Sequence, residues 1–583
     1  MTGSICTRGA MWVLGGVVVT GAAPVGADAG PAATVRVQES TRDRIILRYE
    51  FGAGNAPTVS HSVIVPDDAQ MAMRIIDGSA FEMTWADFAA QTDWPPPDDS
   101  RRSMIAENSG TGPVVELGTP YVLRDYRGLC VTVHAVRPDP GRLAVHVLHD
   151  LTVELAAVGR GTINVLQRNR PVSSVCRTFD EIYRSRFINY DLAGRFPPPD
   201  EEGEMLIIVH DPWMAEVQTL AQHKNAIGIN TTVVGVSEIG STVAAIKSYI
   251  QDMYATTDLA FVLLVGDAAQ VPTPCAGGSA ADPVYAKVAG ADDYPDLMIG
   301  RFSAESAMHV QTQVQRTIAY ETNGATEQDW FWRGAGIGSS TAAGHLDDIR
   351  QDLLDYGYTQ VDQLYDPGVT PEMIGAAINE GRGVINYVGQ GGTTLWGTGP
   401  FTIAHVEALT NNGMLPFIFN VACLNGDFDG QTCLAEAWLR AMHDGAPTGA
   451  IAAYMSSSSQ SWIEPLTAHE AIIDTYVNED LHAFGALCFA GACKMIDEYG
   501  SSGAETFNNW IVFGDPSLRI VGTVEFVCPA DITGDGMVDV LDLLALLAAW
   551  GQTGELPEDI TGDGIVDTLD LLALLAAWGP CDS

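Results

Sequence analysis

A cysteine and a glutamine occupy two small-residue turns, each directly after an apolar run of the sequence. Cys423 follows the run at residues 415–421, and Gln390 follows the run at residues 383–388. A cysteine attacks as its thiolate, yet only a few per cent of an ordinary thiol is ionised at neutral pH. A neighbouring base raises that fraction and protonates the leaving amine, whereas a glutamine amide does not titrate near neutrality. The pattern therefore predicts a nucleophile at Cys423 and a partner, Gln390, that cannot shuttle a proton.

Apolar runs of this kind predict strands that are buried on both faces of a parallel sheet. Similar runs occur at residues 205–209, 231–236 and 261–265, and they alternate with helical periodicity at 242–254 and 307–320. The alternation predicts an α/β domain with a mainly parallel sheet over residues 204–520. Because open α/β sheets bind ligands at the carboxyl ends of their strands, we expect both turns at a reactive edge.

The sequence around these turns resembles that of the gingipain family of secreted cysteine endopeptidases, which belongs to the caspase-like clan. The second turn has the sequence Ala-Cys-Leu-Asn-Gly at 422–426. The resemblance covers about residues 180–520 and includes matching segments at 261–267, 298–303, 365–371 and 512–517. It implies a caspase-like α/β catalytic domain with two subdomains, of about residues 204–325 and 326–520. This domain would hydrolyse peptide bonds through a thioester on Cys423, without a cofactor for the chemistry. It also implies oxyanion-binding N–H groups at Gly391 and Cys423. Gln460 and Trp462 would line the substrate pocket, although a buried core position for this tryptophan is an open alternative.

The chain departs from the family pattern in two places. The family has Gly-His-Gly at the first turn, where this chain has Gly-Gln-Gly at 389–391, and residues 336–344 contain no carboxylate to match the family's acidic catalytic residue. The acidic pocket residue of arginine-specific members would fall near Ala342 or Ala343, so a preference for arginine is not implied. His210, at a predicted strand end, is an alternative base, whereas His405 is interpreted as structural.

Two functions therefore stay open for the α/β domain. One is an active cysteine endopeptidase that acts on protein or peptide substrates. The other is a catalytically impaired pseudo-peptidase, in which Gln390 replaces the family histidine and the domain binds peptides or serves as a scaffold. The retained residues around Cys423 indicate that the pocket geometry persists in either case.

The residues before this domain predict export and a β-rich region. Arg8, the apolar run at 10–23 and the small residues before a cleavage point near Ala27 are typical of a signal peptide at 1–27, which predicts a secreted protein without a membrane span after cleavage. Residues 30–170 predict an all-β domain, and the stretch at 118–128 resembles the gingipain propeptide. Removal as a propeptide and retention as an accessory domain are both open. Residues 171–203 are predicted to be a linker.

The C-terminal residues 528–583 contain a repeated loop that is typical of EF-hand calcium sites. Oxygen ligands at positions 1, 3, 5, 9 and 12, with a backbone carbonyl at position 7, suit Ca²⁺. This pattern resembles a small helical dockerin-like domain, which implies a possible cohesin-like receptor, and a disulfide between Cys528 and Cys581 is expected to close the domain. The predicted ligands are Asp531, Thr533, Asp535, Met537, Asp539 and Asp542 in the first loop, and Asp559, Thr561, Asp563, Ile565, Asp567 and Asp570 in the second.

Composition excludes some partners. The formal net charge of −43 makes nucleic acid and anionic lipid surfaces unfavourable partners, because both are themselves negatively charged. After loss of Cys6 with the signal peptide, an odd number of cysteines remains, so at least one thiol stays unpaired, and Cys423 is the best candidate. The acidic residues Asp292, Asp293 and Asp296 suggest a solvated loop, with calcium binding as the alternative.

Overall fold

The computed structural model describes most of the chain as two separate units, Met1–Val521 and Gly522–Ser583. The predicted signal peptide, Cys528 and Cys581 lie outside the described residues. Among the described residues, no helix combines the length and the apolar composition needed to cross a membrane. The described residues are 34–51, 58–84, 87–88, 113–139, 144–167, 175–192, 203–322, 328–479, 481–520, 530, 532–533, 537–552, 556–557, 560–561 and 565–580.

Two antiparallel sheets form the N-terminal part of the first unit. One sheet has the order β1-β2-β9-β4 with β8 beside β9, and the other has the order β3-β7-β5 with β6 beside β7. Alternating residues along these strands, such as Ile45, Leu47 and Tyr49, are buried in a shared core, as a half-buried strand requires. The strands are β1 (Thr34–Ser40), β2 (Arg44–Glu50), β3 (Thr58–Val65), β4 (Ala69–Thr84), β5 (Val115–Leu117), β6 (Tyr121–Leu123), β7 (Tyr126–His134), β8 (Val136–Asp139) and β9 (Ala144–Arg160).

A ten-stranded sheet forms the centre of the α/β domain, and its order is β11-β10-β12-β13-β19-β18-β17-β16-β14-β15. Eight of its neighbouring pairs are parallel, so the predicted mainly parallel sheet is confirmed. The strands are β10 (Glu204–Val209), β11 (Thr231–Gly235), β12 (Leu259–Val265), β13 (Met298–Phe302), β14 (Arg333–Gly338), β15 (Gln360–Tyr365), β16 (Val384–Val388), β17 (Phe417–Val421), β18 (Ala452–Ser456) and β19 (Trp510–Phe513).

Helices alternate with these strands along the chain, and the first of them lies within the predicted linker. Buried residues of β10, β12, β16 and β17 are almost entirely apolar, because helices pack on both faces of the sheet. The helices are α1 (Arg177–Arg186), α2 (Met214–Ala226), α3 (Val236–Ile239), α4 (Val243–Thr256), α5 (Ala307–Thr322), α6 (Ala343–Tyr356), α7 (Pro371–Asn379), α8 (Ile403–Glu407), α9 (Leu434–Arg440), α10 (Ile463–Asn478), α11 (Phe484–Tyr499) and α12 (Ser501–Asn508).

The two halves of the large sheet run in opposite directions. Strands β10–β13 and β19 are parallel to one another, whereas β14–β18 form a second parallel set, and the sets meet at the antiparallel pair β18–β19. As a consequence, the carboxyl ends of β16 and β17 lie at the same edge as the amino ends of β12 and β13. The sequence patterns predict five of these ten strands, namely β10, β11, β12, β16 and β17, and carry no information about this reversal.

The N-terminal β-region packs on the α/β domain at that same edge. The ring of Tyr121 stacks on Tyr294 with 3.8 Å between centroids, and Arg186 forms a buried ion pair with Asp497 at 2.6 Å. The hydroxyl of Tyr294 also donates to Asp497 at 2.6 Å. Side chains from α1 and from the α/β domain, including Phe179, belong to one hydrophobic cluster.

The acidic loop before β13 belongs to this interface, so the prediction of a solvated loop is wrong for two of its three residues. Asp296 is fully buried and accepts hydrogen bonds from the backbone N–H groups of Arg124, at 3.1 Å, and Val288, at 2.8 Å. Asp292 accepts from Val122 N–H at 2.9 Å. Burial raises the pKa of Asp296 to about 8. Only Asp293 is exposed, where it pairs with Lys287.

Candidate functional site

Cys423 and Gln390 lie in turns at the ends of two neighbouring strands. Strands β16 and β17 pair in register with Val388 opposite Val421, so the two turns leave the sheet side by side. Among the six free thiols in the described residues, five are buried and Cys423 alone is half-exposed. The turn that presents it is tight, because Leu424 adopts a left-handed backbone conformation with φ of 62°.

The sulfur of Cys423 is held by the backbone of one residue in the loop after β18. The N–H of Gln460 donates to Sγ at 3.3 Å, and the thiol donates to the carbonyl oxygen of the same residue at 3.8 Å. Leu424 N–H donates to the carbonyl of Ser458 at 3.0 Å, which joins the cysteine turn to the same loop. The resting thiol is therefore oriented by main-chain groups.

Gln390 is exposed and its position is fixed through its backbone. Its carbonyl accepts hydrogen bonds from the hydroxyl of Tyr387 at 2.6 Å and from the N–H of Gly397 at 2.7 Å. Within the described residues, its side-chain amide forms no hydrogen bond, so it is free to meet a substrate.

Two backbone N–H groups next to the thiol lack an intramolecular acceptor in the described residues. Gly391 lies opposite Trp396 in a short hairpin. In the next pair of this hairpin, the N–H of Gly397 donates to the carbonyl of Gln390. In an antiparallel ladder, the pair next to a hydrogen-bonded pair is not hydrogen-bonded, so the N–H of Gly391 points away from the hairpin. The N–H of Cys423 likewise has no acceptor among the described residues. Free donors of this kind can bind a negatively charged oxygen.

No histidine takes the place that Gln390 leaves vacant. All twelve histidines fall within the described residues, and none forms a hydrogen bond with Cys423. His210 ends β10, which is five strands from β17, or roughly 24 Å at the usual strand spacing, and it lies at the opposite edge of the sheet. The alternative of His210 as the base is therefore wrong. His405 caps its own helix by accepting from Thr402 N–H at 3.0 Å, in agreement with a structural role.

A buried pair of histidines beneath the site was not predicted from the sequence. His345 lies 3.1 Å from Glu470 and 3.1 Å from His469, and His469 in turn lies 2.8 Å from Asn386 of β16. Burial, with the neighbouring imidazole, lowers the pKa of His469 well below its usual value. The ring of His469 contacts Phe419 in the middle of β17, too deep in the sheet to reach the thiol. The sequence signal that could have identified this pair is the position of each histidine on the buried face of an amphipathic helix, α6 for His345 and α10 for His469.

The two predicted pocket residues, Trp462 and Gln460, differ in exposure and in hydrogen bonding. Trp462 precedes α10 and has 41% of its surface exposed, so its interpretation as a buried core residue is wrong. The side-chain amide of Gln460 donates to the hydroxyls of Ser456 and Ser458, while its Oε1 atom is buried without a partner. Trp462 is thus accessible two residues after Gln460, whereas the side chain of Gln460 hydrogen-bonds within its own loop.

The segment without a carboxylate, residues 336–344, begins within β14 and continues to the start of α6. Residues Ser340–Ala342 form a single helical turn, and α6 begins at Ala343. Ala342 is buried.

The two C-terminal loops have matching geometry in their described residues. Asp542 is buried and accepts from Thr533 N–H at 2.9 Å and from the N–H of Asp539 at 2.8 Å. Asp570 accepts from Thr561 N–H at 2.9 Å, so the same arrangement recurs one repeat later. The helices α13 (Val540–Ala548) and α14 (Thr568–Ala576) follow the loops, while the short strands Met537–Val538 and Gly579–Pro580 pair with each other.

These contacts bring the third, ninth and twelfth positions of each loop together through backbone N–H groups that donate to the twelfth-position carboxylate. The predicted ligands Asp531, Asp535, Asp559 and Asp563 lie outside the described residues. In the part of the chain that is described, no group of three His, Cys, Asp or Glu side chains is clustered for metal binding.

Comparison with known proteins identifies relatives of the α/β domain. The model of Peptidase family C25 matches residues 198–521. Gingipain R2 of Porphyromonas gingivalis is 36% identical over 450 residues, which is 72% of this chain and 60% of that protein. Gingipain R1 of Porphyromonas gingivalis is 35% identical over 430 residues, or 70% of this chain and 43% of that protein. The chain therefore spans less than two thirds of the length of these relatives.

Solved structures give the same result for the fold. The crystal structure of the Arg-specific cysteine proteinase gingipain R has a TM-score of 0.53 and 38% identity, over 54% of this chain and 78% of that chain. A complex of the pro- and mature domains of Porphyromonas gingivalis RgpB has a TM-score of 0.53 and 38% identity, over 54% of this chain and 79% of that chain.

Proposed function

Because this chain belongs to peptidase family C25, we propose that it is a secreted cysteine endopeptidase that hydrolyses peptide bonds through a thioester on Cys423. One observation supports this proposal most directly. The half-exposed thiol of Cys423 lies beside two backbone N–H groups, those of Gly391 and Cys423 itself, that have no acceptor among the described residues. A thiol and free donors in one place are the groups that acyl transfer needs.

In the proposed reaction, the sulfur of Cys423 attacks the carbonyl carbon of the scissile peptide bond. A C–S bond forms, and the negative charge on the carbonyl oxygen is stabilised by the two N–H groups. The C–N bond then breaks, and the proton from the thiol passes to the leaving amine. Water hydrolyses the thioester, releases a carboxylic acid and restores the thiol.

Gln390 at the family's histidine position slows the proposed reaction but does not prevent it. Its amide can orient the substrate or contact the oxyanion, but it cannot carry the thiol proton to the amine. That proton must move through water or directly to the leaving group, so we expect acylation by a peptide amide to be slow. An imidazole in this position contributes typically about 10²–10⁴-fold in rate.

A second candidate function is a pseudo-peptidase that binds peptides without cleaving them. The observation that favours it is that none of the twelve histidines forms a hydrogen bond with Cys423. The exposed indole of Trp462, with 41% of its surface accessible, would then contribute to peptide binding alone.

The test distinguishes these two functions. The full chain is incubated with a mixed peptide library and calcium, and products are measured by mass spectrometry for wild type, for Cys423→Ala and for wild type alkylated with iodoacetamide. Slow cleavage that both controls abolish supports the endopeptidase. Peptide capture without products supports the pseudo-peptidase, and cleavage that survives Cys423→Ala would refute the proposed nucleophile.

We further propose that the C-terminal unit binds two Ca²⁺ ions and attaches the protein to a cohesin-like receptor. The carboxylates of Asp542 and Asp570 would hold the ions together with the other predicted loop ligands. Large apolar side chains on both helices support a protein-binding role, since Leu544 and Leu572 are each 57% exposed. Calorimetry on the full chain should detect two calcium sites, and no heat at millimolar calcium would contradict this part of the proposal.

A further inference from the structure

Asn425, two residues after the nucleophile, joins the two turns of the site. Its side chain is fully buried. Its Nδ2 atom donates to the carbonyl of Gly392 at 2.7 Å and to the carbonyl of Leu395 at 2.9 Å. These carbonyls belong to the two strands of the hairpin that carries Gly391. One amide group thus fastens both strands of the hairpin to the cysteine turn.

The other atom of the same amide faces Gly391. Asn425 Oδ1 is buried without a hydrogen-bond partner, and a Cβ added at Gly391 would lie 2.9 Å from it and 2.6 Å from the carbonyl oxygen of Cys423. No side chain fits at Gly391 at such distances. Gly391 is therefore packed closely against the carbonyl of Cys423 and the side-chain amide of Asn425.

The two free donors of the site belong to the segments that Asn425 connects. The N–H of Cys423 is fixed by the turn that contains Asn425, and the N–H of Gly391 is fixed by the hairpin that Asn425 binds. Donors stabilise an oxyanion only when both point at the position that the charged oxygen will occupy. A shift of about 1 Å in one donor is enough to impair catalysis substantially.

We propose that Asn425 is a positioning residue that sets the spacing between the Gly391 and Cys423 N–H groups. This inference rests on the proposed function, because it assigns Asn425 to the oxyanion site of the same thiol. Asn425 itself does not touch the reacting atoms. Its two N–H groups act through the carbonyls of Gly392 and Leu395, and they hold the hairpin where Gly391 can bind the oxyanion.

Asn411 provides a matched control elsewhere in the same domain. It is also fully buried, and its Nδ2 atom donates to two carbonyls, those of Met414 at 2.7 Å and Gly449 at 2.9 Å. It lies before β17, whereas the candidate site lies after it. Asn411→Ala therefore removes a comparable buried amide without altering the turns of the site.

The experiment measures acylation of Cys423 by a peptidyl p-nitrophenyl ester, whose leaving group needs no proton. The burst rate of nitrophenol release is compared for wild type, Asn425→Ala, Asn425→Asp and Asn411→Ala. The alkylation rate with iodoacetamide is measured in parallel, because that reaction forms no oxyanion. Asn425→Asp keeps the size of the side chain and removes both N–H donors.

We expect about a 100-fold loss of burst rate for both Asn425 variants, comparable with the loss of one oxyanion donor. Alkylation rates should stay within about threefold of wild type, and Asn411→Ala should acylate normally. If Asn425→Ala does not fold, Asn425→Ser, which leaves one donor, should give an intermediate burst rate. Equal burst rates for wild type and the Asn425 variants, or a parallel loss of alkylation, would overturn the positioning role of Asn425 and leave the proposed peptidase function standing. A wild-type protein that gives no burst would refute the proposed function.

Discussion

Replacement of Gln390 by histidine should convert a slow peptidase into a faster one. The side chain of Gln390 is exposed and forms no hydrogen bond in the described residues, and its backbone is held by Tyr387 and Gly397. The substitution therefore removes no buried contact, and the free energy of unfolding should change by no more than about 0.5 kcal/mol. The new imidazole would extend from the turn beside Cys423.

The expected gain follows from the proton that must reach the leaving amine. General acid–base catalysis by a positioned imidazole is worth about 10²–10⁴-fold, which corresponds to about 3–5 kcal/mol of activation free energy. The gain should appear in the cleavage of peptide amides. It should be much smaller for a p-nitrophenyl ester, because nitrophenolate leaves without a proton.

The assay compares kcat/KM for a peptide amide and for the matching ester, in wild type and in Gln390→His. The pH profile of the variant should acquire an ionisation near the ordinary histidine pKa of about 6.5. Gln390→Asn is the matched control and should resemble wild type, while the double variant Gln390→His with Cys423→Ala should be inactive. A folded, alkylatable Gln390→His protein with unchanged amide cleavage would show that the two turns do not place an imidazole next to the sulfur.

Three further outcomes test other parts of the structure. Burial lowers the pKa of His61 to about 4. The neutral imidazole therefore contributes fully to the free energy of unfolding above pH 6.5, and this contribution falls by about 1.4 kcal/mol per pH unit between pH 6.5 and 4. Urea titrations of His61→Gln should show a reduced pH dependence, whereas the exposed control His149→Gln should keep the pH dependence of wild type. Asp497→Ala should lower the free energy of unfolding by about 3–5 kcal/mol, because it leaves the buried Arg186 unpaired; a change below 1 kcal/mol in urea denaturation would contradict the buried ion pair. Asp542→Asn should remove one of two calcium sites in calorimetry and leave the other unchanged, and loss of neither site would exclude this carboxylate as a ligand.

Local sequence was sufficient for the elements that carry the site. The predicted strand at 383–388 corresponds to Val384–Val388, and the predicted helix at 307–320 corresponds to Ala307–Thr322. These elements are identifiable because continuous apolar runs and helical periodicity are properties of neighbouring residues. The positions of Cys423 and Gln390 at strand ends follow from the same patterns.

Contacts between distant residues decided the rest. The reversal between the two halves of the sheet, which excludes His210, depends on β19 inserting beside β13. The burial of Asp296 depends on backbone N–H groups of the N-terminal β-region. The acidic loop was predicted to be solvated from its composition, but it is largely buried because the N-terminal β-region supplies hydrogen-bond donors to it.

The candidate nucleophile and the glutamine at the family's histidine position were identified from the sequence alone, because both are matters of residue type in a turn. The tertiary structure decided which groups surround that thiol. Asn425 illustrates the difference, since its sequence position shows only that it follows Cys423. Its role as a clamp depends on the carbonyls of Gly392 and Leu395, which come within hydrogen-bonding distance only when β16 and β17 pair in register.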